Sequence, residues 1–239
     1  MARRTILAVA AATFIAANLA GAGDEWLAAD QLHLDAGAKL TLRLNAGEQL
    51  VKTDERAFAA KDNERFELYH GNAFLNLVEG THDGDKPFWS QPLDFAGEFL
   101  VVLTRAKQDA ERQRVWNFVK LLGRVGEDEE GSLHHRFMGQ QLEMVLIQNP
   151  VLLKSGDEEI VQLYFETKAL SGQTVTARHR DGDNLIEVSG VTDARGVTRL
   201  RLQGSGTWLL STAYVRPCKG CKDADTESFH ATYAFELGS

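Results

Sequence analysis

The sequence is short of the residues that would cross-link it or hold it on nucleic acid. Its 239 residues include only two cysteines, and its 26 lysines and arginines are outnumbered by 34 aspartates and glutamates. Two cysteines are too few for a disulfide-rich scaffold. The formal net charge of −8 argues against binding to nucleic acid, whose affinity depends on basic side chains that neutralise phosphates. It also argues against docking on an anionic lipid surface.

Extreme composition is absent as well. Hydrophobic residues make up 44% of the chain and charged residues 25%, as in ordinary globular proteins. This composition excludes disordered and collagen-like chains. The length permits one large domain or two small ones, and either could bury a substantial core.

Long apolar runs are limited to the N-terminus. Arg3 and Arg4 precede an apolar run at 6–19, and the small residues Ala20-Gly21-Ala22 follow it. This pattern is typical of a secretory signal peptide, and we expect Sec export to the periplasm with cleavage after Ala22. A retained membrane anchor is the alternative, but the run of about 14 residues is shorter than the roughly 20 that span a bilayer. We therefore expect no membrane span in the mature chain.

Most of the remaining sequence has the patterns of β-strands. Apolar and polar residues alternate at 40–44, 198–202 and 231–237, as in strands with one buried face. The continuous apolar run at 99–103 suits a strand that is covered on both faces. Polar turn sequences such as 181–184 separate these runs. Short strands with such turns predict an antiparallel β-sandwich.

One segment, 109–122, has the spacing of an amphipathic helix. Its apolar residues Val115, Phe118, Val119 and Leu122 recur at helical intervals. Asp109 could begin the helix and Gly123 could end it. The segment therefore predicts one short helix between two groups of strands.

Together these patterns predict an all-β protein of two immunoglobulin- or transthyretin-like β-sandwich units joined by a segment with one short helix. A signal peptide would occupy 1–22 and an N-terminal β domain 23–105. A helix and an acidic linker would follow at 106–139, and a C-terminal transthyretin-like domain at 140–239.

Cys218 and Cys221 form a Cys-Lys-Gly-Cys sequence near the C-terminus. In an oxidising compartment such a close pair is expected to form a loop-closing disulfide. Binding of a metal ion and redox chemistry are the alternatives. The following residues, 222–225, have the composition of a loop rather than of a helix start that would activate a thiol.

Four stretches of the chain resemble, in order, the motifs of a known family: Asp24-Glu-Trp-Leu27, Gly139-Gln-Gln-Leu-Glu-Met144, Val191-Thr-Asp-Ala-Arg-Gly196 with Gly206-Thr-Trp-Leu-Leu210, and Ala231-Thr-Tyr-Ala-Phe235. The family is the bacterial domain of unknown function 4198, which is associated with nickel and cobalt uptake. The resemblance implies a periplasmic β-sandwich protein that takes up or binds transition-metal ions. It also implies a metal-uptake receptor or permease as the partner.

Two histidines that the family usually has are missing, because Gly23 and Tyr214 occupy the matching positions. Other residues are therefore the candidate ligands for a nickel, cobalt, copper or zinc ion. The first candidate set lies at the end of a strand and in its turn and comprises His179, Asp181 and Asp183. The second is a relocated site near the C-terminus and comprises His230, Cys218 and Cys221. The adjacent His134 and His135 would point to opposite faces of a strand, so we do not expect them to share an ion.

Catalytic motifs are absent. The sequence has no Gly-x-Ser-x-Gly elbow, no phosphate-binding loop and no His-Glu-x-x-His. We therefore expect a protein that is not an enzyme. The alternative to a metal-uptake component is a metal-independent envelope adaptor, a β-sandwich module that binds a partner protein.

Overall fold

The computed structural model describes residues 24–56, 63–77, 88–108, 112–127 and 131–238. The predicted signal peptide lies outside these residues. The described chain folds into these strands, in order: β1 (Asp24–Ala29), β2 (His33–Leu34), β3 (Lys39–Glu48), β4 (Val51–Arg56), β5 (Asn63–His70), β6 (Ala73–Asn76), β7 (Phe88–Pro92), β8 (Gly97–Gln108), β9 (Gln113–Val125), β10 (Leu142–Leu146), β11 (Glu158–Phe165), β12 (Lys168–Ala169), β13 (Thr174–Asp181), β14 (Asn184–Val191), β15 (Val197–Arg201), β16 (Gly206–Pro217) and β17 (Thr226–Leu237). The all-β prediction is confirmed.

The strands form three sheets. The central sheet has nine strands in the order β14-β13-β16-β17-β9-β8-β5-β6, with β2 beside β9. The first small sheet contains β1, β3, β4 and β7, and the second small sheet contains β10, β11, β12 and β15. Nearly all strand pairs are antiparallel, but β9 pairs with β17 in parallel. That pair joins strands from the two halves of the chain in one sheet.

The two small sheets lie on opposite faces of the central sheet. On β8, Val101 belongs to the core that contains Leu42 of the first small sheet. The next residue, Val102, belongs to the core that contains Val161 of the second small sheet. Because successive side chains of a strand point to opposite faces, β8 contributes to both cores. The continuous apolar run at 99–103 was correctly interpreted as a strand covered on both faces.

The predicted helix at 109–122 is wrong, because 113–125 form the strand β9. β9 lies between β8 and β17, and both of its faces are buried. Phe118 and Leu122 enter one core, whereas Val119 and Leu121 enter the other. A strand buried on both faces is apolar in nearly every position, so its sequence also contains helical intervals.

Within the described residues the one helix is a 3-10 turn at Pro150–Leu152. The proposed division at 23–105, 106–139 and 140–239 stays a prediction. The two sandwiches share the central sheet, and β9, which was assigned to the linker, lies in the middle of it.

Candidate functional site

The three residues of the first predicted ligand set lie in different environments. His179 on β13 is buried, its ring stacks on Trp208 with centroids 5.2 Å apart, and its Nδ1 lies 2.9 Å from the carbonyl oxygen of Thr207. Asp181 ends β13 and Asp183 lies in the turn that leads to β14, and both are exposed. The imidazole is therefore part of the core packing, while the two carboxylates face solvent.

In the second predicted ligand set, a disulfide occupies both cysteines and leaves only the histidine as a possible ligand. Cys218 and Cys221 are bonded to each other, with their Cα atoms 5.7 Å apart, so the predicted loop-closing disulfide is confirmed. His230 is buried on β17, and its Nε2 lies 2.7 Å from Oγ of Ser228. Burial lowers the pKa of His230, and the negative charges of Asp24 and Glu25 raise it by less. Thiolate ligands are not available to join this imidazole.

In the described part of the chain, no group of three or more His, Cys, Asp or Glu residues could hold a metal ion. The nearest approach of imidazoles involves the pair that was expected to point apart. His135 Nδ1 lies 3.1 Å from His134 Nε2, and His134 Nδ1 lies 3.3 Å from Glu98 Oε1. The two histidines lie in a turn rather than on a strand, so their side chains do not alternate between faces. The expectation that they do not share an ion stays a prediction.

A buried ion pair that sequence reasoning missed fixes the segment before β10 to the central sheet. Lys120 Nζ on β9 donates to Glu143 Oε1 at 2.5 Å and to the carbonyl oxygen of Met144 at 3.0 Å. Glu143 also accepts the backbone N–H groups of Met138 and Gln140. Burial lowers the pKa of Lys120, and the charge of Glu143 opposes that change. The available signal was a lysine in the middle of the apolar run 118–122.

A second buried carboxylate has no cationic partner among the described residues. Glu159 on β11 is fully buried, and its Oε1 accepts the N–H groups of Ile160 at 3.0 Å and Gln148 at 3.3 Å. Its Oε2 has no hydrogen-bond partner. Burial raises the pKa of Glu159 to about 8. The hydrogen bonds from backbone N–H groups stabilise the carboxylate and lower the pKa, but by less. A carboxyl with this environment is held in its neutral form near pH 7.

Two aromatic contacts, each with one exposed phenylalanine, are connected along the chain by the neighbours Arg136 and Phe137. We call them together the aromatic patch, whose members are Tyr69, Phe74, Arg136, Phe137 and Tyr164. Phe74 is 62% exposed and stacks on Tyr69, with ring centroids 5.7 Å apart. The Arg136 guanidinium lies 5.2 Å from the centre of the Tyr69 ring. Phe137 is 43% exposed and packs edge-on against Tyr164 at 5.2 Å.

The patch is held in place by a contact between two distant parts of the chain. Arg136 Nη1 donates to the carbonyl oxygen of Gly71 in the β5–β6 turn, at 2.6 Å. Arg65 on β5 donates to the carbonyl oxygen of Met138 at 2.7 Å. These bonds place the 136–138 segment beside the β5–β6 hairpin. The strand pattern alone gave no indication of this contact.

Fold and site define the class of protein: an all-β protein of two sandwiches that share a central sheet, with a surface group of aromatic side chains. The chain matches the model of a family described as Domain of unknown function (DUF4198) over residues 20–216. It therefore belongs to that family, as the resemblance implied. No curated protein matches the chain.

Solved structures resemble the chain only remotely. A tetra-tandem repeat from the extending region of a large adhesion protein is 10% identical, with a TM-score of 0.26, and the match covers 90% of this chain and 49% of that one. The Escherichia coli adhesin FdeC is 15% identical, with a TM-score of 0.24 and coverages of 87% and 62%. A two-domain fibronectin type III segment of chicken tenascin is 11% identical, with a TM-score of 0.23 and coverages of 88% and 98%. The chain thus spans about half the length of the first of these structures and less than two thirds of the second.

In the described ranges, no helix has the length and apolar character needed to cross a bilayer.

Proposed function

We propose that this protein is a non-enzymatic, partner-binding module of the bacterial periplasm, and that the aromatic patch contacts a partner protein. The support for the location is the signal-peptide pattern at 1–22. The support for partner binding is the exposure of Phe74 and Phe137, which lie in two segments that the bond from Arg136 to Gly71 holds together. Aromatic residues and arginine are enriched in protein interfaces, and they are the residues that most often dominate binding energy.

The energetics favour a protein partner over solvent for this patch. Burial of one large apolar side chain contributes about 1.5–3 kcal/mol, and both exposed phenylalanines would gain this on contact with a partner. Arg136 supplies a guanidinium beside them and is already positioned by its bond to Gly71. A side chain that is held before binding loses less conformational entropy when the complex forms.

The strand at the edge of the central sheet offers a second means of recognition next to the patch. β6 ends the order of the central sheet, and all four of its residues are exposed. No strand in the described part of the chain pairs with its outer edge. Such an edge can bind an extended segment of a partner through main-chain hydrogen bonds, while neighbouring side chains provide specificity.

Site-specific photo-crosslinking in the native host tests the proposal. A photoreactive phenylalanine analogue at Phe74 or at Phe137 is expected to give the same discrete crosslinked protein. The matched control is Val191, which is 63% exposed at the end of β14 and should give none. The double substitution F74A/F137A is expected to weaken binding of the purified partner by roughly 30-fold or more, as for interface hot spots.

Two outcomes would count against a partner at this patch. One is an identical crosslinking pattern at the control position, and the other is the absence of any discrete product at both phenylalanines. If the crosslinked product is a second copy of this chain, sedimentation of the purified protein will show a dimer that F74A/F137A disrupts.

Transition-metal handling with a receptor or permease, which the family resemblance implies, is the second candidate function. Its support is the family resemblance, because in the described residues no group of three ligand-type side chains could hold an ion. The imidazoles of His134 and His135, which approach each other beside Glu98, are the residues at which a test can begin. The residues originally predicted as ligands do not fit a shared site, because Cys218 and Cys221 are disulfide-bonded and His179 is part of the core.

Calorimetry separates the two functions. With the mature chain, the adaptor proposal predicts that none of Ni²⁺, Co²⁺, Cu²⁺ and Zn²⁺ binds with a Kd below about 100 μM, which corresponds to roughly −5.5 kcal/mol. Tighter binding that H135A removes, and that H33A leaves unchanged, would favour metal handling instead.

A further inference from the structure

An apolar cavity lies between the first small sheet and the central sheet, away from the aromatic patch. Its volume is about 210 Å³. Trp26 and Leu27 of β1 line one side, and Leu121, Leu209 and Ala234 of the central sheet line the other. All five residues are at most 7% exposed. The two facing walls of the cavity are therefore formed by side chains of the packed core.

One end of this cavity is polar and cationic. Arg180 of β13 lines it, together with Thr207. The guanidinium donates from Nη2 to the carbonyl oxygen of Gln49 at 3.0 Å and from Nη1 to that of Asp183 at 3.4 Å, and its buried Nε has no partner. No carboxylate in the described residues forms an ion pair with it. A cation that is satisfied only by neutral carbonyls retains its attraction for an anion.

The tip of the β3–β4 hairpin forms the cover at this end. Gln49 and Leu50 have φ angles of 53° and 61°, and Leu50 both lines the cavity and packs against the adjacent core. Left-handed backbone is unfavourable for residues other than glycine and asparagine. A two-residue hairpin turn with this conformation usually contains Asn and Gly. The Arg180 bond to Gln49 and the packing of Leu50 hold the tip in place over the cavity.

We propose that this cavity binds a small amphipathic carboxylate, with its apolar body among the leucines and its carboxylate on Arg180. The cavity volume sets the size of the ligand, since an apolar protein cavity of about 150 Å³ is known to bind benzene. The cavity of this chain exceeds that volume. A monocyclic aromatic acid or a short fatty acid therefore fits. The proposal does not depend on the partner-binding function, because none of its residues belongs to the aromatic patch.

Fluorine NMR with 4-fluorobenzoate, and with fluorobenzene as the uncharged probe of the same shape, tests this assignment. We expect 4-fluorobenzoate to bind the mature chain with a Kd of about 0.1–1 mM. Fluorobenzene should bind at least tenfold more weakly, because a hydrogen bond to a charged group adds about 1.5–3 kcal/mol.

Two substitutions distinguish the contact with the ligand's carboxylate from the contacts with its apolar part. R180Q is expected to weaken 4-fluorobenzoate binding at least tenfold. It should weaken fluorobenzene binding by a much smaller factor, through loss of the bond to Gln49. A234L fills the cavity and should weaken both probes, with A234V as the smaller substitution if A234L lowers stability. R195Q is the matched control, because the Arg195 side chain is 81% exposed in a turn, and it should change neither affinity.

The proposal is overturned if 4-fluorobenzoate fails to bind at 10-fold above the expected Kd range. It is equally overturned if R180Q binds 4-fluorobenzoate as the unsubstituted chain does, or if A234L and A234V both bind the probes with unchanged affinity while remaining folded by circular dichroism.

Discussion

Replacement of Lys120 by methionine is expected to lower the free energy of unfolding by about 3–5 kcal/mol, as for other broken buried ion pairs. The lysine is 2% exposed and Glu143 is fully buried, so the substitution leaves a carboxylate without its cation inside the core. Methionine retains the length of the side chain, and the loss therefore reports the charge rather than a cavity. Urea unfolding followed by tryptophan fluorescence measures it.

The double variant K120M/E143Q provides the internal check. A glutamine at 143 carries no charge, and its one carbonyl oxygen can accept the N–H group of Met138 or that of Gln140 but not both. We therefore expect about half of the lost stability to return. K168M is the surface control, because Lys168 lies exposed on β12, and it should change stability by less than about 0.5 kcal/mol. A loss for K120M as small as that for K168M would contradict the assignment of a strong buried pair.

The second large effect concerns Glu159 and pH. Its ordinary pKa of 4.5 is raised to about 8 in the folded chain, so the folded state holds a proton that the unfolded state releases. Between pH 4.5 and 8 the stability therefore falls as pH rises. The raised pKa corresponds to a loss on the order of 5 kcal/mol across that range. Below pH 4.5 the carboxyl is protonated in both states and this contribution is fully retained.

E159Q should abolish that part of the pH dependence. The variant is expected to match the unsubstituted chain near pH 4 and to exceed its stability by on the order of 5 kcal/mol near pH 8. E158Q is the matched control on the same strand, because the Glu158 side chain is 43% exposed and faces Arg199 and Arg201. Parallel stability curves for E159Q and the unsubstituted chain would show that Glu159 is ionised in the folded state.

The helical interpretation of 109–122 illustrates the limit of periodicity. Phe118 and Leu122 have the spacing of one helix face, but they also share a strand face, since they are four residues apart and four is an even number. The partner strands decide between these possibilities. β9 acquires neighbours from β8 and from the C-terminal β17, and the latter is about a hundred residues away in the sequence.

The candidate sites show a related limit. The disulfide could be predicted because Cys218 and Cys221 lie close together in the sequence, so their pairing does not depend on contacts between distant parts of the chain. The approach of His134 to Glu98, and of Arg136 to the β5–β6 hairpin, requires contacts across more than thirty residues. Such contacts depend on the order of strands in the sheet, which local patterns do not contain.

The sequence by itself determined that the chain is built from strands, that its two cysteines pair, and which family it belongs to. These properties depend on alternation, on short separation and on ordered motifs, all of which are local. Only the tertiary structure decided that the two sandwiches share one sheet, that Lys120 meets Glu143, and that a cavity ends at Arg180. Those features arise where strands distant in sequence pack face to face, because burial removes water from groups that no local pattern brings together.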